Sequence, residues 1–311
     1  MQQKPTVHIL LATFNGQRFL ADQLESIARQ TYPSWTLTVS DDGSTDDTLK
    51  IVERFSRQVR QPVTLIKGPQ KGSPTANFLH LVAKVQAENF QDLYAYCDQD
   101  DVWYDNKLER AVLWHEQHAD QSVRLYCGRT QFTNEELNPI GLSSTINRPP
   151  SFCNSLVQNI ASGNTMVFSH AVLFAQKKVD ASHSVWHDWT TYIVTTALGG
   201  LVGFDNDPCL FYRQHDLNVI GSNDGFKAQI SRLKPIFEGR FKRWSDINSN
   251  ALHDLQDLIA QRPRETLTEF HTMRSVKYWP IRVLAFYKSD IRRQNFFSNL
   301  TFAFALAIKK I

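Results

Sequence analysis

The chain has 311 residues, 42% apolar and 21% charged, enough for a sizeable core and unlike a disordered, collagen-like or disulfide-stapled protein. Its net charge of +3 hides a split: residues 226–311 carry +9 and the remainder −6, which suggests an acidic front that holds a metal and a basic tail for an anionic partner. Scattered cysteines (Cys97, Cys127, Cys153, Cys209) lack zinc-site spacing and point to a reducing compartment, and no apolar run has the length of a signal peptide or membrane span.

In chain order, Val7–Ala12 (VHILLA) is a continuous apolar run, as in a strand buried on both faces. Leu20, Leu24 and Ile27 then recur at helical spacing, and Trp35, Leu37 and Val39 alternate as a second strand. Ser44 and Asp47 read as a capping box for a helix carrying Leu49, Val52 and Phe55. Val63–Gly68 is a third strand, and Pro74 starts a helix with Phe78, Leu81, Val82 and Val85 on its inner face. Leu93–Asp98 is the fourth strand and Lys107–His118 a helix. This βαβαβαβ order predicts an α/β fold with a parallel sheet covered by helices. Thr13 and Asn15 follow the first strand, Asp41 and Asp42 the second, Gly68 and Lys71 the third, and Asp98, Asp100 and Asp101 the fourth. Open α/β sheets bind ligands outside the carboxyl ends of their strands, so these residues should meet at one rim.

Two segments there carry chemistry. The carboxylates of Asp98-Gln99-Asp100-Asp101 repel one another unless something positive sits between them, and a divalent cation shared with a substrate phosphate does so. The plain alternative is a solvated acidic turn before the next helix. In Ser40–Thr48 (SDDGSTDDT), Asp41 or Asp42 is placed to accept the ring N–H of a pyrimidine, while Ser44, Asp46 and Asp47 read as loop and N-cap.

Together and in this order, the two segments resemble the family 2 glycosyltransferases of the GT-A fold, and the DQDDxWxxxK form is similar to bacterial rhamnosyltransferases of polysaccharide assembly. The likeness runs from about Val7 to about Gly221, with Ala12 where the family usually has a proline that shapes the turn. SGNTMVF (Ser162–Phe168) resembles the segment near the acceptor. Trp186-His187-Asp188-Trp189 resembles the segment with the catalytic base, and Tyr212-Arg213-Gln214-His215 with Asn218 and Gly221 resembles a YRxHxxNxxG ending.

The resemblance implies a Rossmann-like, mostly parallel sheet in a GT-A catalytic domain over 1–225, with a nucleotide-binding half (1–105), an acceptor half (106–225) and a basic helical extension over 226–311. It implies a nucleotide-sugar site of Thr13, Asn15, Asp41, Asp42, Lys71, Asn77, Asp98 and Arg213, and Mg²⁺ or Mn²⁺ on Asp98, Asp100 and His215. Asp188 is then the base, with acceptor contacts from Gly163, Asn164, Trp186 and Trp189. Core packing is the plain alternative for Trp186 and Trp189 and suits Trp189 equally well, and His187 reads as a structural hydrogen-bonding residue. The implied reaction is inverting transfer of a sugar from a dTDP- or UDP-linked donor, L-rhamnose from dTDP-rhamnose first among them, to a glycan or lipid-linked acceptor of a surface polysaccharide or lipopolysaccharide.

Other readings fit less well. DQDDV matches the nucleophile motif of haloacid-dehalogenase-type phosphatases, but that motif follows the first strand of its fold, whereas three βα units precede it here. No GxGxxG or GK[ST] supports an NAD or ATP site, and no nucleic-acid motif appears. A module that only binds sugars would not need carboxylates at every expected catalytic position. The tail, Tyr278–Lys310 above all, mixes apolar faces with Arg282, Lys288, Arg292, Arg293, Lys309 and Lys310. It suits either a membrane interface or helices packed on the catalytic domain. The expected setting is the cytoplasm, with peripheral contact at the inner face of the plasma membrane. All the proposed catalytic residues precede Gly221, so residues after about Lys277 are expected to matter more for membrane association than for chemistry.

Overall fold

The computed structural model describes residues 4–86, 89–215 and 238–311. The four expected strands form as β1 (Val7–Thr13), β2 (Trp35–Asp41), β3 (Val63–Lys67) and β4 (Leu93–Cys97), all parallel, with β1 between β2 and β4. The apolar run of β1 is explained by burial on both faces. Ile9 and Leu11 join a core with α1 (Leu20–Ala28), α2 (Thr48–Ser56) and α4 (Lys107–Gln117), while Leu10 joins another with α3 (Pro74–Lys84) and α6 (His170–Gln176).

Pro74 opens α3 as expected, behind Ser73, whose side chain accepts from the Ala76 N–H. The capping box at Ser44 does not form. The Ser44 hydroxyl donates to Asp41 at 2.5 Å and accepts from the Asn15 N–H at 2.8 Å, and it is Asp46 that accepts from the Thr48 N–H, at 3.0 Å. A hydroxyl already holding two loops together is not free to cap the helix.

The second half of the sheet is mixed. β5 (Val102–Trp103), β6 (Arg124–Thr133), β7 (Pro139–Leu142), β8 (Val167–Ser169) and β9 (Leu201–Arg213) extend it in the order β3-β2-β1-β4-β8-β6-β9-β5, with β7 on β6. β8 is antiparallel to β4 and β6, β9 is parallel to β6, and β5 is antiparallel to β9. Two features of this order position the site. The chain leaves β1 toward β2 on one side and returns as β4 on the other, so the loops after β1 and β4 part and leave a crevice. Pairing of Val102 and Trp103 with Phe211 and Leu210 draws the acidic loop against the end of β9.

The tail is helical: α8 (Arg240–Asp254), α9 (Gln261–Ser275), α10 (Trp279–Lys288) and α11 (Phe296–Ala307). Leu252, Phe270, Phe286 and Phe302 share one core with Trp189 and Ile193 of α7 (His187–Ala197) and with Phe152 of α5 (Phe152–Ser155). Residues after Lys277 therefore also support the fold around α7. Losing buried Phe286 and Phe302 removes packing worth about 3–5 kcal/mol apiece from beneath the Asp188 helix. Asn218, Gly221 and the 225/226 boundary lie outside the described residues. All four cysteines are free thiols, and among the described residues no helix is long and apolar enough to cross a membrane.

Candidate active site

A cleft of about 830 Å³ opens at the carboxyl ends of β1 and β4. Its floor is the first loop, which the sequence builds by side chain to main chain bonds. Asn15, at φ +47°, accepts from the Thr45 N–H at 2.9 Å, and the Gly16 N–H donates to the Thr48 hydroxyl at 2.8 Å. Thr13 donates to the Asp41 carboxylate at 3.0 Å, which also accepts from the Gly43 and Ser44 N–H groups at 3.1 and 2.8 Å. Asp41 is therefore buried with both oxygens committed to the loop, whereas Asp42 lines the cleft and gathers the N–H groups of Gln70 (2.5 Å) and Gly72 (2.8 Å). Asn77 lines the same wall and ties the strand ends together, donating to the Ser40 and Thr13 carbonyls at 2.9 and 3.3 Å. Lys71 lies along a neighbouring groove with Ser182 and Trp186.

The acidic loop forms the second wall. Gln99 accepts from the Phe14 N–H at 2.9 Å and donates to the Phe14 carbonyl at 3.1 Å, joining the loops after β4 and β1. Asp98, Asp100 and His215 line the cleft, and the Asp100 carboxylate lies 2.8 Å from the His215 imidazole. Burial and the facing charges of Asp100 and Asp188 push the Asp98 carboxyl up to about 7. Negative charge is concentrated here, and the Lys107 ammonium offsets it only in part.

Asp101, fully buried, is held differently. It accepts from Asn164 at 2.7 Å, and the Lys107 ammonium donates to the Asn164 carbonyl at 2.8 Å while lying 3.3 Å from the Trp103 ring. Burial pushes Lys107 down to about 8. The motif's lysine is thus its internal counter-charge, a role sequence reasoning left unassigned. Asn164, expected beside the acceptor, spends its amide there. Arg213 is buried and braces the loop: it donates to the Asp100 carbonyl at 3.1 Å, to Asp22 at 2.8 Å and to the Glu135 carbonyl.

The third wall carries Asp188, in the first turn of α7, where the helix N-terminus favours a carboxylate. Asp188 accepts from the Trp189 N–H at 2.6 Å, and burial still raises its carboxyl to about 6 against the pull of Gly163 N–H and the Asn159 side chain. Gly163 permits this arrangement: a Cβ there would meet the His187 ring at 2.6 Å. His187 stacks on Phe78 at 4.0 Å, and burial pushes it down to about 3, so it is a neutral packing residue. Trp189 is buried and donates to the Ser155 carbonyl at 2.7 Å, while half-buried Trp186 lines the cleft. Phe241, Trp244 and Arg293, from the tail, line it too; no local sequence signal marked them.

The structure thus brings Thr13, Asn15, Asp42, Asn77, Asp98, Asp100, His215, Gly163, Asn164, Trp186, Asp188 and Trp189 to one cleft, and sets Asp41, Lys71 and Arg213 outside its lining. Among the described residues no group of three or more His, Cys, Asp or Glu side chains is preassembled to hold a metal. Asp98, Asp100 and His215 nevertheless fit one chemically, offering oxygen and imidazole donors where carboxylates crowd together.

The profile of glycosyl transferase family 2 matches residues 8–182. The chain is 27% identical to the dTDP-rhamnosyl transferase RfbG of Shigella flexneri over 255 residues, 78% of this chain and 85% of that one. Its structure is similar to that of TarS 1-349 from S. aureus in complex with UDP-GlcNAc, with a TM-score of 0.57, 14% identity, and coverage of 98% of this chain and 90% of that one. It is also similar to the mannosyltransferase PcManGT from Pyrobaculum calidifontis in complex with GDP-Man and Mn²⁺, with a TM-score of 0.54, 16% identity, and coverage of 99% and 88%.

Proposed function

The chain belongs to glycosyl transferase family 2 and has the GT-A fold, and from that premise we propose that it is an inverting transferase moving L-rhamnose from dTDP-rhamnose onto a surface-glycan precursor. The observation that carries this reading is the single cleft with Asp98, Asp100 and His215 on one wall and Asp188 on another. The rhamnosyl donor is supported by the likeness to RfbG, and the cation by Mn²⁺ in the PcManGT complex.

In this mechanism Asp188 takes the proton of the acceptor hydroxyl as its oxygen attacks the anomeric carbon, and its raised basicity suits that work. The nucleoside diphosphate leaves from the opposite face, which inverts the anomeric centre. Asp98, Asp100 and His215 would hold Mg²⁺ or Mn²⁺, whose charge offsets that of the diphosphate. Arg213 fixes the Asp100 main chain and acts through the loop. Trp186 offers the acceptor sugar a flat surface. Turnover of a nucleotide-sugar panel by the purified protein with Mn²⁺ tests the reading, with dTDP-rhamnose expected to be used best and phosphate monoesters left intact.

The base is read at Asp42. Its carboxylate keeps acceptor capacity for the N3–H of thymine or uracil beside the backbone N–H groups it already holds, a donor that guanine and adenine do not present in the same place. Free dTDP and UDP should therefore compete with the donor at least tenfold better than GDP or ADP, a difference of about 1.4 kcal/mol. Equal inhibition by GDP and dTDP would contradict the assignment.

The α10–α11 pair supports peripheral membrane contact. Trp279, Ile281, Leu284, Phe296, Phe297, Leu300 and Phe304 are all exposed there, with Lys277, Lys288 and Lys309 exposed around them. Burying a large apolar side chain yields about 1.5–3 kcal/mol, and each lysine near an anionic surface about 1 kcal/mol. We expect the protein to float with anionic liposomes at low salt, less at high salt, and the F296S/F297S double variant to lose at least tenfold in partitioning while staying folded. Failure of the folded wild type to float at low salt would make this face a solvent-exposed helical cap.

A further inference from the structure

Among the described residues, one cation in the cleft has no anion beside it. Arg293, in the link between α10 and α11, lines the same cleft as Asp188. Its Nε is buried without a hydrogen-bond partner among the described residues, and burial pushes the guanidinium down to about 10. Its neighbours are treated otherwise. Arg282 donates to the Leu306, Ala307 and Val276 carbonyls, and Arg292 to those of Tyr287 and Ile291. What Arg293 meets is the Phe241 ring, 5.5 Å from its guanidinium carbon. Phe241 contacts Trp244 at 5.7 Å, and Trp244 contacts Trp189 at 5.8 Å. An aromatic wall therefore runs from the residue beside Asp188 to a buried guanidinium.

The main chain holds Arg293 in place. Its N–H donates to Asn299 at 2.8 Å, Asn299 donates back to its carbonyl at 2.9 Å, and the next N–H donates to Gln158 at 2.8 Å. A guanidinium whose Nε is buried and unbonded costs free energy, and its fork of N–H donors matches a phosphate. The chain beyond it says what the phosphate carries. Phe296 and Phe297, 73% and 77% exposed, begin α11 three residues later and lead onto the exposed apolar face of α10 and α11. Hydrocarbon attached to an anion at Arg293 would have that face to lie on.

We propose that Arg293 is the binding site for the phosphate of a lipid-linked acceptor, which sets the acceptor sugar along the aromatic wall toward Asp188. The inference rests on the transfer reading for its purpose, but its test does not need turnover. Farnesyl diphosphate, farnesol, inorganic pyrophosphate and dTDP with Mn²⁺ are titrated into the full-length protein, with tryptophan fluorescence as the readout, for wild type, R293Q and R293K. Farnesyl diphosphate should bind wild type at least tenfold tighter than farnesol or pyrophosphate. R293Q should weaken it at least tenfold, R293K less so, and dTDP affinity should stay within twofold in each.

Unchanged farnesyl diphosphate affinity in R293Q overturns the proposal. So does pyrophosphate binding as tightly as the lipid, which would make the ligand a free phosphate. A parallel loss of dTDP affinity also overturns it, because Arg293 would then serve the donor. If R293Q does not fold, R293K decides between the same outcomes. Arg293-dependent lipid binding in a protein that transfers no sugar would leave this site standing and reject the transfer reading alone.

Discussion

Asp188→Asn lowers the rate of transfer by about 10²–10⁴-fold, the usual cost of losing a general base, while dTDP affinity changes little. The amide keeps the size of the carboxylate and its place in the first turn of α7 but takes up no proton. Because the Asp188 carboxyl stands near 6, kcat/KM for the wild type should fall tenfold per pH unit below about pH 6 and level off above it. The sign follows from the role: a base works ionised, so activity is present above its pKa and lost as pH falls through it. Asp188→Glu, which retains a carboxylate on a longer arm, should recover part of the rate and keep the acidic limb. Near-full transfer by Asp188→Asn would remove Asp188 from the base role, and neither Asp98 nor Asp100 is placed to inherit it.

The second large effect concerns the cation. Asp98 and Asp100 line the cleft side by side, and in the proposed reaction a donor diphosphate would add its own charge to theirs unless a cation sits between them. Calorimetry should show dTDP binding with Mn²⁺ and a loss of at least a hundredfold with EDTA. Asp100→Ala should weaken Mn²⁺ and dTDP together. In the wild type, bound Mn²⁺ should also bring the Asp98 carboxyl back toward the ordinary carboxylate range, because a nearby cation favours the ionised form. Unchanged dTDP affinity in EDTA would contradict the metal reading of Asp98, Asp100 and His215.

The legible parts of the chain share a physical cause. A parallel strand covered on both faces must be apolar throughout, so Val7–Ala12 and Leu93–Cys97 stand out, and polar groups at their carboxyl ends stand out against them. The mixed half of the sheet gave little such signal. β5 and β8 have two and three residues, and β9 is interrupted by Asp205, Asn206, Asp207 and Pro208. Residue type also left roles undecided. Asp41 and Asp42 are neighbours of one kind, and only the loop geometry commits Asp41 to Thr13, Gly43 and Ser44 while turning Asp42 to the cleft. Arg213 and Lys107 read alike as cations, yet one braces the Asp100 main chain and the other balances the buried carboxylates. In the tail, net charge was visible, but Arg293 differs from Arg292 only in what tertiary packing places around it.

Direct, inverting displacement in this cleft fixes the anomeric configuration of the product. The purified protein is incubated with dTDP-β-L-rhamnose, Mn²⁺ and a rhamnose- or N-acetylglucosamine-terminated lipid diphosphate acceptor, and the new linkage is read by NMR, with Asp188→Asn alongside. An α-L-rhamnosyl linkage formed with release of dTDP, absent in Asp188→Asn, is the predicted result. A β linkage, or transfer that persists in Asp188→Asn, would contradict the account.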